Sequence, residues 1–198
     1  QDEIAKAIGD ELKVKVGIDD KSAGSAATTT DVAAYELYLQ GMALWHARRE
    51  QGMLQAIDLF KQALAIDPDY APAYAGLALT FTILPAYSAT VTWEEGISLS
   101  RDYAVHALAL DPTLPEAYAS LANSANISLQ RGTAEALLRR AIAMRPSYAT
   151  AHHWLGNTLQ SLGDMEGSLT ELERATALDP RSPVIGDNNA FALMAAGR

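Results

Sequence analysis

A proline recurs at near-constant spacing along the chain, and this period constrains the fold more than any other feature. Pro112, Pro146 and Pro180 are 34 residues apart, and Pro68 precedes the first of them by 44. Each proline follows an alanine-rich stretch and precedes a short turn. Proline lacks a backbone N–H and clashes with the preceding helical turn, so each one ends a helix. The pattern therefore predicts a tandem array of helical units.

Small and large apolar residues are arranged within each unit so that two helices can approach closely. The small residues of two successive units are Ala122, Ala134 and Ala141, then Gly156, Ser168 and Ala175. The large residues that fill the gaps between them are Leu121 and Leu138, then Leu155 and Leu172. A single helix pair of this kind cannot bury its own apolar face, so it must stack on its neighbours.

The period and this residue pattern resemble the tetratricopeptide repeat (TPR) family. The resemblance implies an all-α helix-turn-helix solenoid, a right-handed superhelix of about four and a half repeats. The repeats are expected at about 35–70, 71–114, 115–148 and 149–182, with the first helix of a fifth at 183–198. Two repeats carry insertions between their helices: three residues near 49–52, and ten around 85–95 that end at a helix start near Thr92.

The segment before the array differs from it in composition. Ile4, Ile8 and Leu12 lie four residues apart, which predicts a helix within residues 1–18, and residues 19–30 have the small, polar composition of a flexible linker. Thr30 or Asp31 is the expected cap of the first array helix, in an array that spans 31–198. These segments resemble bacterial regulators in which a TolB-like domain precedes a TPR array. That resemblance implies that 1–18 is the remnant of a preceding domain.

Composition excludes several classes of function. The chain has a net charge of −9, no cysteine and no apolar run near the roughly 20 residues of a membrane span. Nucleic-acid binding, membrane binding and thiolate metal sites are therefore not expected. The adjacent His152 and His153 point about 100° apart on a helix, which favours packing or solvation over metal binding. The sequence has no phosphate-binding loop and no nucleophile elbow, so we expect a cytoplasmic, non-enzymatic chain without cofactor or metal.

The resemblance also implies a concave groove lined by the first helix of each repeat. The positions carried over as tentative ligand-binding residues are Asn123, Asn126, His153, Trp154, Asn157 and Gln160. Asn123 and Asn157 are one period apart, similar to the asparagine ladder of the O-linked N-acetylglucosamine transferase family. Stacked amides can grip a peptide backbone, or they can be merely solvated. Trp154 is either an exposed binding residue or packs on the next repeat.

These observations favour a protein-interaction scaffold that binds a peptide or helix in the groove, within a larger bacterial regulatory or assembly protein. The groove positions lack the lysines and arginines of the chaperone-type carboxylate clamp. One alternative is a sensor module of a DNA-binding regulator or nucleotide cyclase whose active domain lies upstream. Another is homotypic assembly through the C-terminal end, where Phe191 and Met194 have no following helix to cover them.

Overall fold

The computed structural model describes residues 29, 31–195 and 197. The described residues form nine α-helices and no strand. The helices are α1 (Val32–His46), α2 (Glu50–Ile66), α3 (Ala71–Ile83), α4 (Trp93–Leu110), α5 (Pro115–Ile127), α6 (Arg131–Met144), α7 (Ala149–Leu162), α8 (Met165–Leu178) and α9 (Pro183–Ala195). Each helix packs on the next, and the first helices of successive repeats (α1, α3, α5, α7) also pack side by side. The predicted all-α solenoid is confirmed.

The extra residues of the first repeat lie within a helix, and not between the helices as the spacing predicts. α2 begins at Glu50 and has 17 residues, whereas α6 and α8 have 14 each. Nearly one additional turn is therefore added at the start of α2. A helix can absorb three residues in this way because they complete most of one 3.6-residue turn.

The larger insertion of the second repeat combines a short 3₁₀ helix, a loop and a longer second helix. The 3₁₀ helix spans Leu84–Ala86, and α4 starts after Thr92, as the sequence predicts. The Thr92 Oγ1 accepts from the Glu95 backbone N–H at 3.2 Å, and the Glu95 carboxylate accepts from the Thr92 backbone N–H at 2.9 Å. This reciprocal capping box satisfies two otherwise unpaired donors and so defines where α4 begins.

Phe60 of α2 packs between the first helices of the first two repeats. Its side chain is fully buried, and its ring lies against Gly41 of α1 and Gly76 of α3. A Cβ atom at Gly41 would lie 2.6 Å from the ring, and one at Gly76 would lie 2.7 Å from it. Glycine is therefore required on both helices, because a side chain there would collide with the ring.

In the fourth repeat a glycine again faces a large apolar side chain, which is here a leucine and not a phenylalanine. A Cβ atom on Gly156 of α7 would lie 2.7 Å from Cγ of Leu172 in α8. Leu155 and Leu172 are fully buried, as are the small residues Ala134, Ala141 and Ala175. The small–large pattern seen in the sequence therefore marks the contact surfaces between paired helices.

A polar side chain near the start of two first helices bonds back to the preceding proline. The Tyr118 hydroxyl donates to the carbonyl oxygen of Pro112 at 3.1 Å. One repeat later, His152 Nε2 lies 3.0 Å from the carbonyl oxygen of Pro146, and its Nδ1 lies 2.6 Å from Oε2 of Glu171. His152 is therefore a buried packing residue that ties the inter-repeat turn to α7 and α8.

Three of the turns inside repeats contain one residue in the left-handed backbone region, at the same place in the repeat. The residues are Arg48 (φ 52°), Leu129 (φ 61°) and Gly163 (φ 88°). Glycine adopts this conformation without steric penalty, whereas other L-residues are strained by about 1–2 kcal/mol. The repeat thus imposes a backbone requirement that glycine meets freely, as at Gly163 and again one period later at Gly197 (φ 71°).

We expect Leu129→Gly to stabilise the protein by about 0.5–1 kcal/mol, because it relieves this strain and removes a side chain that is 69% exposed. The reverse change, Gly163→Leu, is expected to destabilise it by a similar amount. Urea unfolding followed by circular dichroism measures both. A less stable Leu129→Gly variant would contradict the assigned turn geometry.

The two ends of the array differ in what the structure describes. Asp31 caps α1, since its Oδ1 accepts from the backbone N–H groups of Ala33 (2.8 Å) and Ala34 (3.2 Å). The predicted helix within 1–18 lies outside the described residues, as does the linker at 19–30 apart from Thr29.

At the other end of the array, α9 packs on α8 and α7 and leaves Phe191 60% exposed. Self-association through this helix stays a prediction.

Within the described ranges, every helix is too short or too polar to cross a lipid bilayer.

Candidate functional site

The first helices of the repeats form one continuous surface, which carries the predicted groove positions. α3 and α5 are joined there by a buried contact of 3.2 Å between Thr82 Oγ1 and Ser124 Oγ. α3 is buried on almost all of its residues, as expected for the central helix of the array. The surface is therefore a rigid, preformed scaffold for the side chains at its edges.

The two asparagines one period apart are both partly exposed. Asn123 Nδ2 donates to Thr82 Oγ1 at 3.5 Å, and Asn157 Nδ2 lies 3.2 Å from Nε2 of His153. Each amide thus has one N–H engaged by a neighbour. Among the described residues neither carbonyl oxygen has a hydrogen-bond partner, so both remain able to accept from a ligand.

Trp154 and His153 are less accessible than their groove positions suggest. Trp154 is 7% exposed and belongs to the main apolar core, so the structure favours its packing alternative. His153 is 4% exposed. Burial, with a smaller effect from the positive charge of Arg48, lowers the pKa of His153 to about 4. Its neutral Nε2 can therefore accept the Asn157 amide N–H, which an imidazolium could not.

Asn126 and Gln160 lie near the ends of α5 and α7, where both are partly exposed. Across the part of the chain that the structure describes, neither side chain is held by a hydrogen bond. They remain accessible polar groups at the edge of the surface.

An open cleft of about 400 Å³ lies at the N-terminal ends of the first helices. Its lining residues are Thr29, Tyr35, Tyr38, Tyr70, Pro72, Leu114, Glu116 and Arg145. The rings of Tyr38 and Tyr70 meet edge to face at 5.5 Å. Burial is the main reason that the pKa of Tyr38 is raised and that the pKa of Tyr70 rises to about 12. Both hydroxyls therefore stay protonated and can donate to a ligand.

A bidentate ion pair closes one side of this cleft. Glu116 of α5 is 6% exposed and accepts from both terminal nitrogens of Arg145, with Nη2 at 3.2 Å from Oε2. Although burial opposes its charge, hydrogen bonds and attraction from Glu116 raise the pKa of Arg145. The repeat pattern of the sequence did not indicate this ion pair. One departure from the repeat pattern could have indicated it. Arg145 precedes its proline, whereas the other three units have aspartate at that position.

Arg48 is a second arginine that the repeat pattern of the sequence did not indicate. It lies in the turn between α1 and α2, and its guanidinium stacks on the ring of Trp45 at 3.8 Å from the centroid. Burial lowers the pKa of Arg48 to about 10, and the hydroxyls of Tyr87 and Tyr148 partly offset this effect. Arg48 is still protonated at neutral pH. Because it comes from a turn and not from a first helix, the family's groove positions did not indicate it.

Metal-ligating side chains do not gather into a site within the described residues, where no three of the histidine, aspartate and glutamate side chains lie close enough to hold an ion. His152 instead completes the packing contacts given above.

Comparison with known proteins supports the repeat assignment in two ways. One repeat matches a family in sequence, and the other repeats match solved structures in fold. The tetratricopeptide repeat family matches residues 149–182. No curated protein matches the chain in sequence.

Three solved structures share the fold at low sequence identity. A thermophilic TPR protein of Thermus thermophilus is 21% identical, with a TM-score of 0.64 over 84% of each chain. PilF of Pseudomonas aeruginosa is 19% identical, with a TM-score of 0.57 over 83% of this chain and 69% of its own. MamA is 22% identical, with a TM-score of 0.50 over 74% of this chain and 80% of its own. Residues 149–182 therefore form a tetratricopeptide repeat, and the chain shares the all-α solenoid fold of these tetratricopeptide repeat structures.

Proposed function

We propose that this chain is a protein-interaction scaffold, whose first-helix surface binds an extended segment of a partner protein. The observation that carries the proposal is the tyrosine-lined cleft, which opens beside the Glu116–Arg145 pair on a preformed surface. Tyrosine offers a large apolar contact area together with a hydroxyl, and such residues are enriched at binding hot spots. A cleft of this size accommodates a side chain of a bound segment, and not a folded domain.

The partly exposed asparagines support an extended ligand. A peptide backbone presents N–H donors and C=O acceptors along its length. A side-chain amide can form hydrogen bonds with both, because it has an acceptor oxygen and N–H donors. Asn123 and Asn157 each keep a carbonyl oxygen available, while their neighbours hold the amide groups in place. Because the two residues stand on successive first helices, we propose that they contact the same bound backbone.

The test is a binding measurement on a double variant. Peptides selected from a displayed library on the wild-type chain would be titrated by fluorescence anisotropy. We expect Asn123→Ala with Asn157→Ala to weaken them at least about tenfold, as for the loss of two hydrogen bonds of roughly 1 kcal/mol each.

The matched control is Gln62→Ala, which removes an exposed amide from α2, outside the first-helix surface. Its affinity should equal that of the wild type. Circular dichroism must show unchanged helicity in both proteins. Selected peptides that bind the double variant with wild-type affinity would refute the asparagine contacts, and failure to select any peptide would refute the scaffold itself.

A further inference from the structure

The tyrosine-lined cleft presents a continuous aromatic and apolar surface. Tyr35 and Tyr38 lie one turn apart on α1, and both line the cleft. Tyr70 and Leu114, the residues directly before α3 and α5, line it as well. Tyr35 is 49% exposed, whereas Tyr70 and Leu114 are buried. The cleft therefore has an accessible aromatic ring at its rim and buried apolar groups at its base.

The hydroxyls of the cleft tyrosines are free to donate. Of the tyrosine hydroxyls in the described part of the chain, only that of Tyr118 is hydrogen-bonded to another described residue. The hydroxyls of Tyr35, Tyr38 and Tyr70 are not bonded in this way. Each carries one O–H donor, so the cleft supplies three.

The other acceptor atoms of the cleft side chains are already occupied. Both carboxylate oxygens of the buried Glu116 accept from Arg145. Thr29 Oγ1 accepts from the Asp31 backbone N–H at 3.0 Å, which leaves its O–H to donate. Apart from the hydroxyl oxygens of the tyrosines, the cleft's side chains therefore offer donors without a free acceptor.

A ligand that matches this surface must supply acceptors and apolar area, and few donors. Proline is the residue whose backbone has a carbonyl oxygen but no N–H. In the polyproline II conformation the backbone makes no internal hydrogen bonds, so its carbonyl oxygens remain available to hydroxyl donors. An ordinary segment would bring N–H groups that find no free side-chain acceptor beyond the tyrosine oxygens, and an unpaired donor weakens binding.

The size of the cleft also favours a thin ligand. One turn of an α-helix, 5.4 Å high and about 10–12 Å wide with its side chains, occupies roughly 400–600 Å³. The whole cleft has a volume of about 400 Å³, so it would hold less than one turn of a helix. A proline-rich segment is narrower and is already stiff before it binds, so less conformational freedom is lost on binding.

We propose that the tyrosine-lined cleft binds a proline-rich segment of the partner in the polyproline II conformation. This inference rests on the proposed scaffold function and names the class of its ligand. The proline rings pack on the rings of Tyr35, Tyr38 and Tyr70, and the tyrosine hydroxyls donate to the carbonyl oxygens between them. Because Arg145 neutralises Glu116 at the side of the cleft, the site does not select a charged side chain.

The experiment titrates three uncharged hexapeptides, all acetylated and amidated, into the chain with ¹³C-labelled tyrosine rings. The first is hexaproline of L-residues, and the second is the same peptide of D-residues, which has equal composition but the opposite helical hand. The third alternates glycine and serine and so carries backbone N–H groups. The ring resonances of the cleft tyrosines are identified by their loss in Tyr35→Phe, Tyr38→Phe and Tyr70→Phe.

We expect L-hexaproline to shift these three sets of resonances and to bind at least about tenfold more tightly than either of the other peptides. Tyr35→Ala should weaken its binding at least about tenfold, because an aromatic wall of the cleft is lost. Trp93→Ala is the matched control, since Trp93 is 46% exposed and lies outside the cleft, and it should leave the affinity unchanged. Tyr35 is on the surface of a helix and alanine favours helices, so lost binding cannot be attributed to unfolding.

The hydroxyl contact is tested separately from the ring. Tyr70→Phe keeps the buried ring and removes only the O–H donor, so it should weaken L-hexaproline about threefold to tenfold, as for one hydrogen bond. Tyr103→Phe is the control, because Tyr103 does not line the cleft, and its affinity should equal that of the wild type.

Three results would overturn the inference: equal binding of the D-peptide, unchanged affinity in Tyr35→Ala, or no shift of the cleft resonances at about 5 mM L-hexaproline, where even a millimolar complex is mostly formed. Library-selected peptides separate this failure from failure of the scaffold function. If peptides without proline are selected and leave the cleft resonances unchanged, the scaffold stands and the proline site falls. If no peptide is selected, the scaffold itself falls.

Discussion

Phe60→Ala is expected to lower the free energy of unfolding by about 3–5 kcal/mol, the range for a fully buried phenylalanine. The cost should lie in the upper part of that range because the cavity cannot collapse. Gly41 and Gly76, which face the ring from two different helices, have no side chains that could move into the space. Urea unfolding with linear extrapolation measures the change.

The control for this variant is Ile66→Ala at the end of the same helix. Ile66 is 44% exposed, and alanine favours the helix, so the stability should change by less than about 0.5 kcal/mol. A loss below about 2 kcal/mol in Phe60→Ala would contradict the position of this ring between the first helices of two repeats.

Acidification is expected to destabilise the protein through His153. Its pKa is about 4 in the folded chain and 6.5 in the unfolded one. Between these values the unfolded state binds more protons, so stability rises with pH and is lost as the pH falls from 6.5 to 4. A shift of this size corresponds to roughly 2–3 kcal/mol, and His153 is buried deeply enough for most of it to count.

The measurement compares unfolding free energies of the wild type and His153→Gln between pH 7 and pH 4. Glutamine can still accept from the Asn157 amide but does not titrate, so the variant should lose less stability on acidification. His106→Gln is the control, because His106 is exposed. The unfolding free energy of His106→Gln should change with pH as that of the wild type does. If His153→Gln also follows the wild type, His153 is not the group responsible.

The repeat architecture could be predicted from the sequence because its determinants are local and periodic. The prolines that recur after each alanine-rich stretch follow the ends of the second helices, and small residues at fixed spacing mark close helix contacts. Thr92 and Glu95 define the start of α4 by hydrogen bonds within four residues. Such features need no knowledge of distant residues.

The accessibility of the candidate site could not be predicted in this way. Trp154 and His153 hold groove positions in the repeat, yet both side chains are buried. The extra residues of the first repeat were expected between the helices, and they instead lengthen α2. Burial depends on how neighbouring repeats stack, and a repeat position alone does not contain that information.

The helical pairs, their order and the small residues at their contacts can be predicted from the residues alone, because each follows from chemistry within one repeat. Which charged groups contact one another depends instead on the three-dimensional arrangement of the repeats. Glu116 pairs with Arg145, which lies 29 residues later in the chain. Burial, with a smaller effect from the charge of Arg48 in the first repeat, lowers the pKa of His153 in the fourth. Electrostatic contacts depend on distances in space, and those distances are set by the curvature of the whole array.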